Sequence, residues 1–370
     1  MMEPNTKIIS EENNVLLFTM SNINHSLANS LRRIILSDIP TLIFRTFPHS
    51  DSKVNISINT TRLNNEIIKQ RIGCIPIHMN DTDFPYQDYV VEVDKQNNSN
   101  TIELLTTEDF KIKNISTEKY LSSTATKELF PPDLITGDYI PITRLRPKLS
   151  ENIEGEQLQF VATFDIGTAR EDGMYNVVSS CAYGATTDTV KANDVWNDKQ
   201  KELIKTDVDV EEIEFQKANW FLLDAKRITI PYSFDFNIES VGVFSNFNLI
   251  YKACDIMINK CKNIISMIEA GDVNIEMNDN TTVNNEFIIT LKNEDYTLGN
   301  ALNYFLYEKY YLGNKTLSFV GFRVPHPHIP NGIIRMAFEN VSDITTVSQY
   351  LTLAAEDVIT TFTNIQNKFK

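Results

Sequence analysis

Two stretches of this chain, 271 residues apart, carry the same pattern, and this repeat restricts the possible fold more than any other feature. Residues 26–31 (SLANSL) align with residues 297–302 (TLGNAL), and both place leucines on one face of a predicted helix. Further along, residues 41–44 (TLIF) align with residues 316–319 (TLSF), and a Pro-His pair follows soon after in each copy. Short matches of small and aliphatic residues also arise by coincidence, but the shared order of helix, strand and proline favours duplication of one αβ unit.

Each half of the chain also closes with a long predicted helix, over about 245–268 and 344–369, whose apolar residues are spaced alternately by three and four. This spacing is typical of a helix that packs along a second helix. A duplicated unit with an apolar seam favours a symmetric partner, and covalent linkage gives each half a high effective concentration for the other. We therefore predict an intramolecular pseudo-dimer. Its predicted core consists of Leu27, Leu31, Ile34, Cys254, Leu298, Leu302, Phe305, Leu351 and Val358.

The predicted fold class is α+β, with two related modules forming the pseudo-dimer and the first of them interrupted by a β-rich inserted domain. Alternating and β-branched segments such as 53–59 and 158–166 predict strands of the insertion. Residues 95–138 are polar and predict a loop-rich region with short strand candidates such as 101–105, and residues 185–214 are acidic and predict a surface excursion. The predicted boundaries are 1–48 and 227–270 for the first module, 49–226 for the inserted domain, 271–284 for a polar linker, and 285–370 for the second module.

The formal net charge of the 370-residue chain is −15, which disfavours broad nucleic-acid binding. Affinity for DNA depends largely on Lys and Arg neutralising phosphates. An acidic chain favours protein partners, although a local basic patch remains compatible with it. The four cysteines form no Cys-x-x-Cys pair, and Cys254 and Cys261 fall within a helical pattern that predicts core positions. A reduced, intracellular protein is the simplest interpretation.

No pattern in the sequence indicates catalysis, nucleotide binding or a metal site. His326 and His328 flank a proline, but a metal site usually takes three or four ligands, so a rigid strand exit is the favoured interpretation. The adjacent carboxylates at 171–172 and 211–212 lie in polar segments, which favours solvated charge over acid–base chemistry. Glycine-rich phosphate loops are absent from the sequence. We expect no cofactor, no metal and no catalytic residue.

The first copy of the repeat resembles the RNA polymerase alpha-type subunits, to which the eukaryotic third-largest subunit and its D-like archaeal counterpart belong. Residues 29–36 (NSLRRIIL) with 39–42 (IPTL) are similar to the signature of this class. Residues 65–77 (NEIIKQRIGCIPI) resemble the next family block, with Gln70 where histidine is usual. Further blocks are matched, some of them weakly, by residues 145–146, 156–158, 166–170 and 236–242.

The second copy resembles the smaller partner in this family, the eleventh subunit of RNA polymerase II or its L-like archaeal counterpart. Residues 295–302 (DYTLGNAL) and 321–327 (GFRVPHP) carry this resemblance, and the second motif is highly specific. Two such subunits joined end to end resemble the arrangement in nucleocytoplasmic large DNA viruses, and the Asn- and Ile-rich composition suits an AT-rich genome. Residues 78–138 and 185–226 are unmatched, and residues 78–140 contain no cysteine, whereas the eukaryotic subunit usually carries a zinc loop in its inserted domain.

The resemblance implies a non-catalytic subunit of a DNA-dependent RNA polymerase. An alpha-type pair is the platform on which the two large catalytic subunits assemble, and it holds neither the active-site magnesium nor the template. The implied partners are the largest and second-largest polymerase subunits and small adaptor subunits, with DNA reached only through the complex and no membrane. The implied location is intracellular and, for a viral protein, the virus factory in the cytoplasm or the virion.

The expected subunit-interface residues are Arg32, Arg33, Glu66 and Arg71. At about 100° per residue, Arg32 and Arg33 cannot both lie on the apolar stripe of their helix, so at least one projects outward. We expect alanine at both positions to leave the fold nearly intact and to weaken assembly with a large subunit.

Two other classes of protein remain open from the sequence: a free-standing transcription regulator that binds DNA, and a small-molecule enzyme. A regulator is expected to carry a helix-turn-helix or a basic stripe. An enzyme is expected to carry a converging cluster of titratable groups. The sequence shows neither pattern.

Overall fold

The computed structural model describes residues 3–79, 84–148, 150, 153–206, 208–278 and 283–370. It divides the chain into two compact units. The pseudo-dimer unit comprises residues 1–35, 180–239 and 246–370, and the inserted unit comprises residues 36–179 and 240–245.

The described residues form both helices and strands, and several strands follow one another directly along the sequence. The strands are β1 (Asn5–Glu12), β2 (Val15–Ser21), β3 (Thr41–Ile43), β4 (Val54–Asn59), β5 (Tyr89–Gln96), β6 (Glu103–Thr106), β7 (Lys111–Asn114), β8 (Pro141–Leu145), β9 (Gln157–Thr163), β10 (Asp165–Gly167), β11 (Val178–Thr187), β12 (Thr229–Ser240), β13 (Asn274–Met277), β14 (Glu286–Lys292), β15 (Leu317–Arg323) and β16 (Asn331–Phe338). The helices are α1 (His25–Ser37), α2 (Asn65–Gly73), α3 (Ser123–Leu129), α4 (Thr189–Lys205), α5 (Val210–Leu222), α6 (Asn246–Glu269), α7 (Tyr296–Leu306), which continues as a π-helix (Tyr307–Gly313), and α8 (Ile344–Gln366). In the part of the chain described, no helix has both the length and the apolar character needed to cross a membrane.

The two modules of the pseudo-dimer unit share one topology. Strands of the first pair in the order β1-β2-β12-β11, with α1 after β2 and α6 after β12. Strands of the second pair in the order β13-β14-β16-β15, with α7 after β14 and α8 after β16. Strand β2 and helix α1 precede their equivalents, β14 and α7, by 271 residues, whereas α6 precedes its equivalent, α8, by only 98 residues. The first copy therefore carries 173 additional residues between α1 and α6. The inserted unit lies within this addition, and the predicted α+β pseudo-dimer with a β-rich insertion is confirmed.

The central pair of strands, β2 with β12 and β14 with β16, has the same register in the two modules. Ser21 of β2 pairs with Ser233 of β12, and under the same two offsets Lys292 of β14 pairs with Asn331 of β16. A slip of one residue would turn the buried face of a strand towards solvent. The shared register therefore keeps equivalent side chains in the two cores. These are Leu16, Phe18 and Met20 in β2 and Phe287, Ile289 and Leu291 in β14.

The second sequence match, between residues 41–44 and 316–319, is not a structural equivalence, and that part of the predicted repeat is wrong. Strand β3 lies in the inserted unit and pairs antiparallel with β10. Strand β15 lies at the edge of the second module, next to β16, and the strand in this position of the first module is β11. Buried β-strands favour the same aliphatic and aromatic residues wherever they lie, so a four-letter match carries little information about topology.

The inserted unit has a sheet of its own, in the order β4-β9-β5-β7, and two small ladders, β6–β8 and β3–β10. Aromatic rings fill its core. Phe44 stacks on Phe164 with ring centroids 5.3 Å apart, and Phe110 meets Phe130 edge-on at 5.0 Å. These rings belong to a separate hydrophobic cluster, as expected of a domain with its own core.

The boundaries of the inserted unit differ from the predicted range 49–226. Residues 36–48 belong to it, because β3 pairs with β10. Residues 180–226 lie in the pseudo-dimer unit, because β11 pairs with β12 and is followed by α4 and α5. The acidic segment expected as a surface excursion thus forms two helices, in which Trp196 is buried and its ring lies 6.3 Å from that of Trp220.

Two segments predicted as irregular contain regular structure. Within the predicted linker 271–284, β13 pairs antiparallel with β14, and polar residues suit an edge strand whose side chains mostly face solvent. Residues 279–282 of that linker lie outside the described residues. The region predicted as loop-rich at 95–138 contains β6, which overlaps the strand candidate at 101–105, and also β7 and α3, which were not predicted. The buried side chains of Leu105 and Ile112 anchor this region.

Candidate assembly interface

The core of the pseudo-dimer lies where α6 and α8 pack along each other, with α7 packing against both. All nine residues predicted for this core are buried, and the most exposed of them, Phe305, is 6% exposed. Leu31 and Leu302, which are equivalent in the repeat, have no exposed surface. Ile344 begins the predicted stripe of α8 but is 52% exposed, because it is the first residue after the N-cap, Asp343.

Phe369 connects the second module to the first through aromatic contacts. Its buried ring lies edge-on to Phe18 of β2 at 5.2 Å and 5.8 Å from Phe247 of α6. Phe18 in turn stacks on Phe236 of β12 at 4.9 Å. Aromatic pairs of this kind contribute about 0.5–1.5 kcal/mol beyond the area they bury. The segment that follows α8 is therefore held by the sheet and the last helix of the first module.

A polar cluster joins α1 of the first module to the start of α7 in the second. The guanidinium of Arg33 forms an ion pair with Asp295 at 2.9 Å and donates through Nε to the Thr297 hydroxyl at 2.8 Å. The hydroxyl of Ser30 donates to the Thr297 carbonyl oxygen at 2.5 Å, and this contact is buried. Arg33, predicted to face another subunit, therefore contacts the partner module of its own chain.

The residues equivalent to this ion pair carry no charge. Under the 271-residue offset, Arg33 corresponds to Tyr304 and Asp295 corresponds to Asn24. Burial, followed by the nearby Glu308, raises the pKa of Tyr304 to about 12, so its phenol is neutral at physiological pH. The ionic contact therefore exists on one side of the pseudo-two-fold relation only.

A second ion pair joins the first module to the second at their contact, which we call the junction. Again the cation belongs to the first module and the carboxylate to the second. Lys260 of α6 lies 3.2 Å from Glu294, just before α7, and both side chains are mostly shielded, with 21% and 17% exposed. The equivalent residues are Val358, under the 98-residue offset, and Ile23, under the 271-residue offset. Both of these aliphatic side chains are fully buried. The junction thus has an ionic contact at one of two related places and an apolar contact at the other.

Both cations belong to the first module and both carboxylates to the second. If two first modules paired, the ammonium group of Lys260 would face Ile23, and the guanidinium group of Arg33 would face Asn24. If two second modules paired, the shielded carboxylate of Glu294 would face Val358. An unpaired charge held away from water costs several kcal/mol. The ion pairs therefore favour the union of unlike modules over the union of like ones.

Arg32 points elsewhere. Its Nε donates to Asn29 Oδ1 at 3.0 Å, and the side chain is half-buried beside β11. Its charge lowers the pKa of Cys181 and of Tyr183, but burial is the larger effect and raises the pKa of the Cys181 thiol to about 12. Contact of Arg32 with another subunit stays a prediction.

Glu66 and Arg71 both lie on α2 of the inserted unit, and both are exposed. They are five positions apart, which is about 140° around the helix, so they do not share a face. Glu66 lines a cavity with Phe47 and His49, whereas Arg71 donates to the Pro141 carbonyl oxygen at 2.8 Å and lines a different cavity. Their role in subunit contacts stays a prediction.

Potential metal ligands do not converge in the described ranges, where no group of three or more His, Cys, Asp or Glu side chains is placed to hold an ion. The rings of His326 and His328 lie 5.1 Å apart, and the His328 backbone N–H donates to His326 Nδ1, as in a tight turn. All four cysteines are free. Burial raises the pKa of Cys254 and of Cys261, so these thiols stay protonated at physiological pH.

Sequence reasoning missed Lys260 and Glu294 as interface residues, although a signal was present. When the two copies are aligned, charged residues stand opposite aliphatic ones at positions that should be buried in both. Such a mismatch in a repeat marks a place where the symmetry of the interface is broken. The pairing of these two charges could not be read from the sequence, because it depends on how the modules dock.

Comparison with known proteins agrees with this architecture. A family model described as the RNA polymerase Rpb3/Rpb11 dimerisation domain matches residues 17–261, and a second model of the same description matches residues 286–368. The chain is 25% identical over 285 residues to the DNA-directed RNA polymerase subunit Rpo3 of Methanosphaera stadtmanae, which covers 71% of this chain and 98% of that protein.

Two eukaryotic proteins are similar over comparable lengths. The DNA-directed RNA polymerases I and III subunit rpac1 of Dictyostelium discoideum is 26% identical over 292 residues, covering 69% of this chain and 79% of that protein. The human subunit RPAC1 is 22% identical over 307 residues, covering 71% and 84%. This chain therefore belongs to the RNA polymerase Rpb3/Rpb11 dimerisation domain family, as an alpha-type subunit with two such domains in one polypeptide.

Proposed function

We propose that this chain is the non-catalytic assembly platform of a multisubunit DNA-dependent RNA polymerase, and that it nucleates the association of the two large catalytic subunits. The observation that carries the proposal is the pairing of two dimerisation modules within one polypeptide. Their central strand pairs have the same register, and both ion pairs between them join a cation of the first module to a carboxylate of the second. Relatives named as DNA-directed RNA polymerase subunits identify the kind of complex.

Covalent linkage favours this role, because the platform forms without the encounter of two separate chains. The two modules also differ where their first helices are not buried. Arg32 of α1, which is half-buried, corresponds to Asn303 of α7. A similar core with dissimilar surfaces suits a platform that holds two different large subunits, one on each module, with small adaptor subunits beside them.

Nucleotidyl transfer belongs in this proposal to the two large subunits, as the family resemblance implies. In this proposal the chain itself has no catalytic or cofactor-binding role. DNA is reached through the assembled complex.

The fusion itself and its setting form a further part of the proposal. Residues 286–368 match a family model of their own, which supports an origin from two separate subunits joined end to end. By resemblance, such a fusion is a viral one, acting in the virus factory of the host cytoplasm or packaged in the virion. Fractionation of infected cells and purified virions, followed by immunoblotting for this chain, tests the location.

Affinity purification of the tagged chain from its native cells or virions tests the assembly role. We expect the largest and second-largest polymerase subunits to co-purify and to be identified by mass spectrometry. Arg32→Ala should reduce recovery of a large subunit, whereas Arg227→Ala, which removes an exposed arginine elsewhere in the pseudo-dimer unit, should not. Purification of the chain without either large subunit would contradict the proposal. Binding of the isolated chain to duplex DNA would then favour a transcription regulator, and turnover of a small molecule would favour an enzyme.

A further inference from the structure

A cavity of about 570 Å³ in the inserted unit is lined by four arginines, although the chain as a whole carries a net charge of −15. Its walls come from the loop before α2, the last turn of α2, the segment leading into β6, and β8. We call it the arginine groove. Its defining residues are Arg62, Arg71, Ile102, Leu104, Arg144 and Arg146.

The groove keeps an excess of positive charge. Arg146 is paired with Glu156 at 2.6 Å, and this buried carboxylate also accepts the Arg146 backbone N–H at 2.8 Å. Arg71 donates to a carbonyl oxygen of β8, which leaves its charge uncompensated. Within the described ranges no carboxylate lies within ion-pair distance of Arg62, Arg71 or Arg144. The groove is therefore a local basic site on an acidic protein.

The floor of the groove is aliphatic and partly open to solvent. Ile102 is 62% exposed and Leu104 is 47% exposed, and both lie beside the arginines. Aliphatic side chains that leave water on binding stabilise a complex in proportion to the apolar area they bury. No aromatic ring is among the residues that line this described cavity. The groove thus offers charge and apolar surface together, but no platform on which a nucleic-acid base stacks.

We propose that the arginine groove binds an acidic segment of a partner polypeptide that carries an aliphatic or aromatic side chain between its carboxylates. Guanidinium groups bind carboxylates through paired, charge-assisted hydrogen bonds. The apolar side chain would cover Ile102 and Leu104, and arginines around such a covered centre are typical of interface hot spots. A phosphate backbone would satisfy the arginines but leave the aliphatic floor uncovered. The inference does not rest on the proposed polymerase role, because it concerns binary binding by this chain alone.

Fluorescence anisotropy with the full chain tests the proposal. The probe is a short fluorescein-labelled peptide of glutamates around a central pair of leucines, measured at about 150 mM salt, where exposed charges are largely screened. Matched probes replace the leucines with serines, or replace the peptide with a single-stranded DNA oligonucleotide. The test variant is Arg62→Glu with Arg144→Glu. The control is Arg227→Glu with Arg323→Glu, which makes the same charge change at two exposed sites of the pseudo-dimer unit.

We expect the leucine peptide to bind, and the test variant to weaken it by roughly tenfold or more, as when arginine contacts of a hot spot are lost. The control should leave binding within about twofold of the unchanged chain, as expected of charges that do not line the groove. Leu104→Ser should lower the affinity for the leucine peptide to that for the serine peptide. If charge reversal disturbs folding, as judged by circular dichroism, Arg62→Gln with Arg144→Gln replaces it.

Several results would overturn the proposal. Absence of binding by the leucine peptide would do so, and so would equal affinity for the serine peptide, which would show that the aliphatic floor takes no part. Tighter binding of the oligonucleotide would make the groove a polyanion site. An equal loss of binding in the control would place the peptide elsewhere. None of these outcomes bears on co-purification with the large subunits, so failure here and failure of the polymerase role are distinguishable.

Discussion

The coupling energy between Lys260 and Glu294 tests whether charge favours the pairing of unlike modules. At 3.2 Å, two unit charges attract by about 5 kcal/mol in a medium of effective dielectric constant 20, but loss of hydration removes most of this gain. With both side chains about four-fifths shielded, we expect a net coupling of about 1–2 kcal/mol, above the roughly 0.2–1 kcal/mol of exposed pairs. Lys260→Met and Glu294→Gln should each destabilise the chain, and the double variant should lose less than the sum of the two.

Urea unfolding of the four proteins, followed by circular dichroism, gives this coupling as a double-mutant cycle. The charge-reversed pair, Lys260→Glu with Glu294→Lys, should recover part of the stability lost by either reversal alone. Lys201 and Asp198 form a matched control, because they lie 2.9 Å apart on α4 with 70% and 79% of their side chains exposed, and their coupling should be much smaller than that of Lys260 and Glu294. Additive losses at Lys260 and Glu294, within about 0.3 kcal/mol, would refute the argument that this contact specifies the pairing.

Three further predictions concern stability and binding. Leu31→Ala or Leu302→Ala should each cost about 2–5 kcal/mol in urea unfolding, because both side chains are fully buried. Arg33→Ala should cost about 1–2 kcal/mol, since it loses both the ion pair and the hydrogen bond across the junction, whereas Arg32→Ala should stay within about 0.5 kcal/mol. The isolated chain should bind duplex DNA only weakly and with strong salt dependence, and sub-micromolar affinity at about 150 mM salt in a filter-binding assay would contradict this.

The parts of the fold that were predictable from the sequence are those set by local periodicity. The stripes of α6 and α8 follow from apolar residues at helical spacing, and the start of α1 and of α7 follows from the aligned copies. The burial of Cys254 and Val358 needed no knowledge of the partner helix, because one apolar face in an otherwise polar helix has to be covered.

The parts that were not predictable depend on pairing between distant segments. Strand β13 is polar and has no pattern of its own, and it is a strand because β14 presents an open edge to it. The end of the inserted unit near residue 179 is set by β11 joining β12 across about 50 residues of sequence. The direction of Arg33 is likewise a property of docking, since helical spacing shows only that a side chain leaves the apolar stripe.

The charges that break the repeat explain why two nearly equivalent modules need not pair with their own kind. An apolar seam is not selective, because leucine packs on leucine in either combination, so the shared core alone would permit like modules of two chains to associate. The two ion pairs disfavour the pairing of like modules, because that pairing would leave their charges without a partner. On the opposite side of the junction the equivalent aliphatic residues, Ile23 and Val358, are fully buried. Covalent linkage keeps the two modules close together, and the ion pairs favour the pairing of unlike modules. Arg32 of α1 corresponds to Asn303 of α7 in the repeat, so the two modules differ in charge outside these ion pairs as well.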